Sequence, residues 1–277
     1  MKRLITGLVA AATMVAACTP SSSGTASPNV TPTPSATTSA SAASGASASA
    51  SATPTAPRTT DTIPTSKGDL RVTPLKHASL LFEFGGHAIY VDPAMDAPVE
   101  GLPKADYVFI THVHPDHMDP ALVDKLKKPS TIVLGPQTVA DKMPGVTTLA
   151  NGAKKSFGEF EVEAVAMYNL ERGPAPGKLY HPKGDGDGFV FTFGDKRVYT
   201  SGDTECTPEM KALKSIDVAF VCMNLPYTMP PKEAAECVNA FAPKVVYPYH
   251  YRNSSLDDFK AGVTKPGVEV RTRNWYP

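Results

Sequence analysis

Three histidines and a carboxylate crowd into six positions of this chain: His112, His114, Asp116 and His117. Imidazole nitrogens and carboxylate oxygens are donors that zinc, iron and manganese accept. With 7 histidines in 277 residues, a His-x-His-x-Asp-His run is a poor match for a chance surface cluster and points to a metal site. Side chains two apart on an extended chain project the same way, so His112 and His114 can grip one ion together. Pro115 then bends the chain and turns Asp116 and His117 toward a second, adjacent position.

Backbone elements must supply that geometry. Tyr107-Val108-Phe109-Ile110 reads as a buried strand feeding the motif. Asp119-Pro120 opens a helix, with Asp as N-cap and Pro at the first helical position. The histidines therefore fall at a strand end and on the turn after it. Further on, the strand 162–167 gives way to Tyr168-Asn169-Leu170. Arg197–Thr200 runs into Ser201-Gly202-Asp203-Thr204, and Val245–Pro248 into Tyr249-His250-Tyr251. A long loop, Glu171 to Gly188, holds five glycines, three prolines and Tyr180-His181-Pro182-Lys183-Gly184.

Leu70–Leu75 and Ser79–Phe84 read as strands, Gly85-Gly86 as a tight hairpin, and His87–Val91 as the return, stopped by Asp92-Pro93. Helices are expected over 120–127, 136–143, 208–213, 231–241 and 256–261, with strands between them. This alternation marks an α/β chain.

The His112–His117 motif resembles the signature of the metallo-β-lactamase superfamily, and the resemblance extends over most of residues 68–277. It implies a four-layer αββα sandwich with a dinuclear metal site at the sheet edges. It also implies His112 and His114 on metal one, Asp116, His117 and His250 on metal two, and Asp203 bridging. Asn169 stands where the superfamily commonly has a third histidine. The further donor would then be His181 or the Asn169 amide oxygen, unless His181 is a surface residue. The Asn169 and His181-Pro182-Lys183-Gly184 segments, with Tyr227-Thr228-Met229, resemble a branch of metal-dependent hydrolases. That branch is related to ascorbate-6-phosphate lactonase and N-acyl-phosphatidylethanolamine phospholipase D. His77-Ala78-Ser79 resembles the opening of the same branch, with Lys76 in place of its usual glycine. The resemblance puts His77 and Asp92 behind the ligands, where Asp92 would orient an imidazole. Tyr227, Thr228 and Lys183 become candidate substrate contacts.

The implied activity is hydrolysis. Two divalent ions, zinc before manganese or iron, would lower the pKa of a shared water toward neutrality. The resulting hydroxide would attack an ester, lactone or phosphodiester, with Asp116 and His117 as catalytic residues. No Gly-x-Ser-x-Gly elbow is present. The alternatives are β-lactam hydrolysis, a di-iron redox site, and a surface lipoprotein that binds metal without turnover.

The ends of the chain carry a different signal. Met1-Lys2-Arg3 and the apolar run to Ala17 read as a signal segment too short to span a bilayer. Val15-Ala16-Ala17-Cys18 resembles a bacterial lipobox, which implies residues 1–17 as signal peptide, lipidation at Cys18 and an exported, membrane-anchored protein. Residues 18–66 are nearly all Ser, Ala, Thr, Pro and Gly, and read as a disordered linker. Residues 67–277 suffice for one domain. Residues 1–66 hold three of the 27 basic and one of the 27 acidic side chains, leaving that domain with a formal charge of −2. Such a balance gives no nucleic-acid surface. The expected partners are a small-molecule substrate and a membrane. Cys206, Cys222 and Cys237 show no close or metal-type spacing, their odd number leaves at least one thiol free, and they read as small buried residues.

Overall fold

Alternating apolar segments build two mixed seven-stranded sheets in the computed structural model, which describes residues 58–276. The signal segment, Cys18 and most of the expected linker lie outside the described residues. The first sheet contains β1 (Asp61–Thr65), β2 (Gly68–Lys76), β3 (Ser79–Phe84), β4 (His87–Val91), β5 (Ala105–Phe109), β6 (Lys127–Gly135) and β7 (Thr147–Thr148), with helices α1 (Pro120–Leu126) and α2 (Gln137–Ala140). The second contains β8 (Lys154–Ser156), β9 (Phe160–Met167), β10 (Gly186–Phe193), β11 (Lys196–Thr200), β12 (Val218–Cys222), β13 (Val245–Tyr249) and β14 (Glu269–Val270), with α3 (Pro208–Lys211), α4 (Pro231–Phe241) and α5 (Leu256–Gly262).

Both sheets follow one plan. The strand order is sequential in each, from β1 to β7 and from β8 to β14. The first four strands pair antiparallel and the last four parallel. Hairpins suffice for the antiparallel half, whereas parallel neighbours require crossovers, here carried mostly by the helices. Gly85 and Gly86, at φ +56° and +80°, supply the left-handed backbone of the β3–β4 turn. They fix the register in which Phe84 faces His87.

The inner faces of the two sheets meet through aromatic rings. Phe82 lies 5.5 Å from Phe191 and Phe109 lies 4.9 Å from the same ring, centroid to centroid. All three are fully buried, and each stabilises the fold by roughly 1.5–3 kcal/mol relative to exposure. On the outside, Leu122, Val123 and Leu126 of α1 pack with Leu81, Tyr90 and Val108. Ala234, Val238 and Phe241 of α4 belong to the main core, where Phe241 meets Tyr199 edge to face. The result is the four-layer αββα arrangement.

Two expectations need correction. The linker does not run to residue 66, because β1 pairs with β2 from Asp61↔Val72 to Thr65↔Gly68. Asp61 also pairs with Arg273 and accepts from the Tyr247 hydroxyl, while Arg58 donates to the Pro98 carbonyl at 2.6 Å. Asp-Thr-Ile-Pro-Thr has one large apolar side chain, so composition alone hides the strand. The cysteines are also more than small buried residues: Cys206 and Cys237 form a disulfide across 31 positions. The fold brings the entry to α3 against α4, a proximity that sequence spacing does not encode. Cys222 remains buried and unpaired among the described residues.

Candidate metal centre

Seven donors meet where strands end and turn. Beyond β5, Thr111 leaves the sheet and its N–H and hydroxyl both donate to the Asp92 carboxylate, each at 2.7 Å. Asp92 itself follows β4. The chain then curls through a turn in which the N–H groups of His117 and Met118 donate to the His114 carbonyl. Gly202 supplies a left-handed residue (φ +59°) after β11, where a Cβ would lie 2.5 Å from the Met167 sulfur. That tight corner delivers Asp203. His250 follows β13, and its N–H donates to the carbonyl of His77 in the β2–β3 turn.

The side chains form three groups, the first and third sharing His112, and within each group the ligand atoms lie within 4.8 Å of one another. In the first, His114 Nδ1 is 3.1 Å from His112 Nε2 and 3.2 Å from His181 Nε2. In the second, Asp116 Oδ2 is 3.0 Å from His77 Nε2 and 3.4 Å from His250 Nε2. The third joins His112, His117 and Asp203. Asp203 links the groups: Oδ1 lies 3.3 Å from His117 Nε2 and 3.4 Å from His250 Nε2, and Oδ2 lies 3.6 Å from His181 Nε2.

The surrounding hydrogen bonds decide which ring nitrogens remain open. Asp92 Oδ2 sits 2.8 Å from His117 Nδ1, which therefore carries a proton and leaves Nε2 as the nitrogen that would face a metal ion. The Thr111 hydroxyl gives its hydrogen to Asp92 and so accepts from His112 Nδ1 at 3.0 Å. Asn169 Oδ1 accepts from both the N–H and Nδ1 of His181, at 2.8 and 2.7 Å. His77 is arranged the opposite way. The ionised Asp116 can only accept, so His77 Nε2 carries the hydrogen, and the Tyr276 hydroxyl, which accepts from the Arg252 N–H at 2.8 Å, gives its own to His77 Nδ1 at 2.9 Å. His77 Nε2–H then donates to Asp116, which makes His77 a support for that carboxylate rather than an open donor.

This donor set fits a cation. His117 Nε2, His250 Nε2 and Asp203 Oδ1 are buried with no hydrogen-bond partner among the described residues. Unpartnered buried polar atoms are costly, and here they converge on one space. Burial holds His181 and His77 down to about 4, and it pushes His112 well below the ordinary value. These rings therefore stay neutral, the form that ligates. Burial opposes charge on His117, yet Asp203 and Asp92 at its two nitrogens hold its pKa well above normal. Burial likewise opposes ionisation of Asp203, but His250 and His117 keep it well below the carboxylate range. The charge drawn to His117 from between two carboxylates marks the place a metal ion would take, with Nδ1–H kept toward Asp92 and Nε2 given up to the ion.

The loop carrying His181 is pinned by Glu205, a residue to which the sequence reading gave no role. Its carboxylate is 1% exposed and accepts from the N–H groups of Leu170, Glu171 and Arg172 at 2.8–3.1 Å. Asn169 Nδ2 also donates to it, and the Arg172 guanidinium lies 3.2 Å away. A Glu one position after Gly-Asp-Thr carries no pattern of its own, so only the fold exposes this role. Asn169 faces His181, Glu205 and the Tyr227 carbonyl, so its amide oxygen is engaged by His181.

An open cleft of about 490 Å³ lies over the cluster, lined by His114, Asp116, Asp203, Tyr180, Tyr227 and Arg252, among others. Tyr227 thus borders the site. Two other candidate contacts do not. Thr228 is fully buried and its hydroxyl closes a turn with Asn224. Lys183 turns away to Glu209 at 2.6 Å and lies over the Tyr168 ring, because an acidic partner and an aromatic face await it on α3 and at the end of β9. Tyr180 and Arg252, which the sequence reading did not single out, line the cleft instead.

Comparison with known proteins agrees with this geometry. Residues 71–250 match the family described as "Beta-lactamase superfamily domain". A UPF0173 metal-dependent hydrolase of Anaeromyxobacter sp. is 31% identical over 208 residues, covering 67% of this chain and 76% of the relative. One from Geobacillus sp. is 30% identical over 226 residues, covering 73% and 99%. The crystal structure of a candidate metal-dependent hydrolase from Parabacteroides distasonis is 38% identical with a TM-score of 0.74, covering 78% of this chain and 98% of that one. With the motif, the paired sheets and the sequence similarity all in agreement, the chain belongs to the UPF0173 family of the metallo-β-lactamase superfamily.

Proposed function

We propose that the protein holds two divalent ions, zinc before manganese or iron, and hydrolyses esters, lactones or phosphodiesters. The carrying observation is the convergence of unpartnered His117 Nε2, His250 Nε2 and Asp203 Oδ1 on one buried space. His112, His114, His181 and Asp203 would hold one ion, and Asp116, His117, His250 and Asp203 the other. When bound, such ions polarise a substrate oxygen and bring the pKa of water toward neutrality. Asp203 supplies the charge between the two positions. Asp92 and Asn169 fix the tautomers of His117 and His181. His77 holds Asp116 at the cleft wall, where that carboxylate orients the attacking water. Metal analysis should find about two equivalents, and His114→Ala or Asp203→Ala should lower metal content and abolish hydrolysis across an ester, lactone and phosphodiester panel. Full activity at wild-type metal loading in either variant would reject the assignment.

We also infer that the protein is exported and anchored through Cys18, with its domain on the outer side of the membrane. Beyond the sequence pattern, the Cys206–Cys237 disulfide supports an oxidising compartment. Cys18→Ser should release the protein from membranes or block its processing. A wild-type protein that is wholly soluble and free of lipid mass would reject this.

A further inference from the structure

A second depression of about 520 Å³ adjoins the cleft and is lined by Lys76, Tyr251, Arg252, Asn253 and Tyr276, with His77 and Met95. Met95 and Arg252 also line the cleft over Asp116 and Asp203, so the two spaces share a wall. The depression contains two formal cations and no carboxylate. Arg252 has one acidic neighbour among the described residues, Asp116 at 3.9 Å, and Asp116 belongs to the metal cluster. The Arg252 backbone is left-handed, at φ +41°, a conformation that disfavours side chains other than glycine. The Tyr276 hydroxyl holds it there at 2.8 Å, and the same hydroxyl supports His77. The position of this cation is thus tied to the cluster. Lys76 ends β2 immediately before His77.

Building on the hydrolase reading, we propose that the substrate carries an oxyanion group, carboxylate or phosphate, seated by Lys76 and Arg252 while its scissile bond lies over the cluster. Lys and Arg provide charge-assisted hydrogen bonds to such a group, and the Arg252 guanidinium can meet two oxygens at once. The other part of the substrate faces Tyr180 and Tyr227, whose rings meet edge to face at 4.9 Å and line the cleft but not the depression. Lys76 and Arg252 are specificity-determining residues: they choose among substrates and take no part in bond cleavage.

Two nitrophenyl esters of similar size provide the test, the glutaric acid monoester (anionic) and the pentanoic ester (neutral), with the metal-loaded full chain. The wild type should favour the anionic ester in kcat/KM by about tenfold or more, as a charge-assisted contact implies. Lys76→Gly and Arg252→Met should each bring that ratio toward one, and Arg252→Lys should keep part of it. A calorimetric arm needs no turnover. Phenylbutyrate and phenylbutyl phosphate should bind more tightly than neutral phenylbutanamide, and Lys76→Gly should narrow the difference. The stronger of the two acids identifies the oxyanion. Anion binding that depends on Lys76, with neither ester cleaved, would support this site and count against ester hydrolysis. A wild type indifferent to ester charge, or a preference unchanged in both Lys76→Gly and Arg252→Met, would overturn the proposal.

Discussion

Reducing or deleting the Cys206–Cys237 bond should lower stability by an amount the sequence separation sets. The bond closes a loop across 31 positions. Restricting the unfolded chain by a loop of that length is worth about 3.5–4 kcal/mol at room temperature in the chain-entropy account. For a domain of this size that corresponds to roughly 8–15 °C in Tm. Both sulfurs are buried against α3 and α4, so a Cys206→Ala/Cys237→Ala variant should lose somewhat more, through small cavities. Thermal unfolding of the metal-loaded protein, with and without a reductant that spares the metal, is the assay, and peptide mass mapping reports whether the bond is present. Wild type and reduced protein should differ by the stated interval, and reductant should not move the double-alanine variant. A fully reduced protein melting within about 2 °C of the oxidised one would refute the loop-entropy reasoning. Finding three free thiols at 206, 222 and 237 in protein secreted by cells would refute the bond, and with it one support for export.

Other perturbations separate the layers of the metal centre. His181→Ala should remove about one metal equivalent and most activity, whereas Asn169→Ala should weaken the same ion by about 10- to 100-fold, the usual cost of losing a group behind a ligand; loss of metal in Asn169→Ala alone would make the amide the ligand. Glu205→Gln turns an amide toward three backbone N–H donors, and should cost about 2–3 kcal/mol while weakening the His181 ion selectively, read by metal titration. Asp187 is fully buried, with Asn151 on one oxygen and the other unpartnered among the described residues. Burial raises its pKa from 3.8 to about 7, so the folded state keeps a proton that the unfolded chain has released. Its contribution to stability therefore falls as pH rises from about 4 to about 7, and Asp187→Asn should gain on wild type across that window, by up to about 4 kcal/mol. Denaturant unfolding at pH 4 and pH 8 measures the difference, and a constant offset would show that Asp187 titrates normally.

The sequence by itself determined the main elements and the motif. Apolar runs of strand length, Gly85-Gly86 and the Asp119-Pro120 start are local signals, and β3, β4 and α4 span the expected residues. His112, His114, Asp116 and His117 are legible because their relation is local: a strand end and one turn fix it. Asp203 and His250 were legible only as strand-end residues within a resemblance. Tertiary structure decided the rest. It alone could place His181, twelve residues beyond Asn169, with its Nε2 beside His114, because the loop path depends on the three N–H groups gathered by Glu205. It turned Lys183 outward to Glu209 and sealed Thr228 inside a turn. It joined Cys206 to Cys237, and brought Asp61 to Arg273 from opposite ends of the domain. Each of these contacts links segments distant in the chain, so its energy depends on how two sheets pack and not on any local pattern of residues.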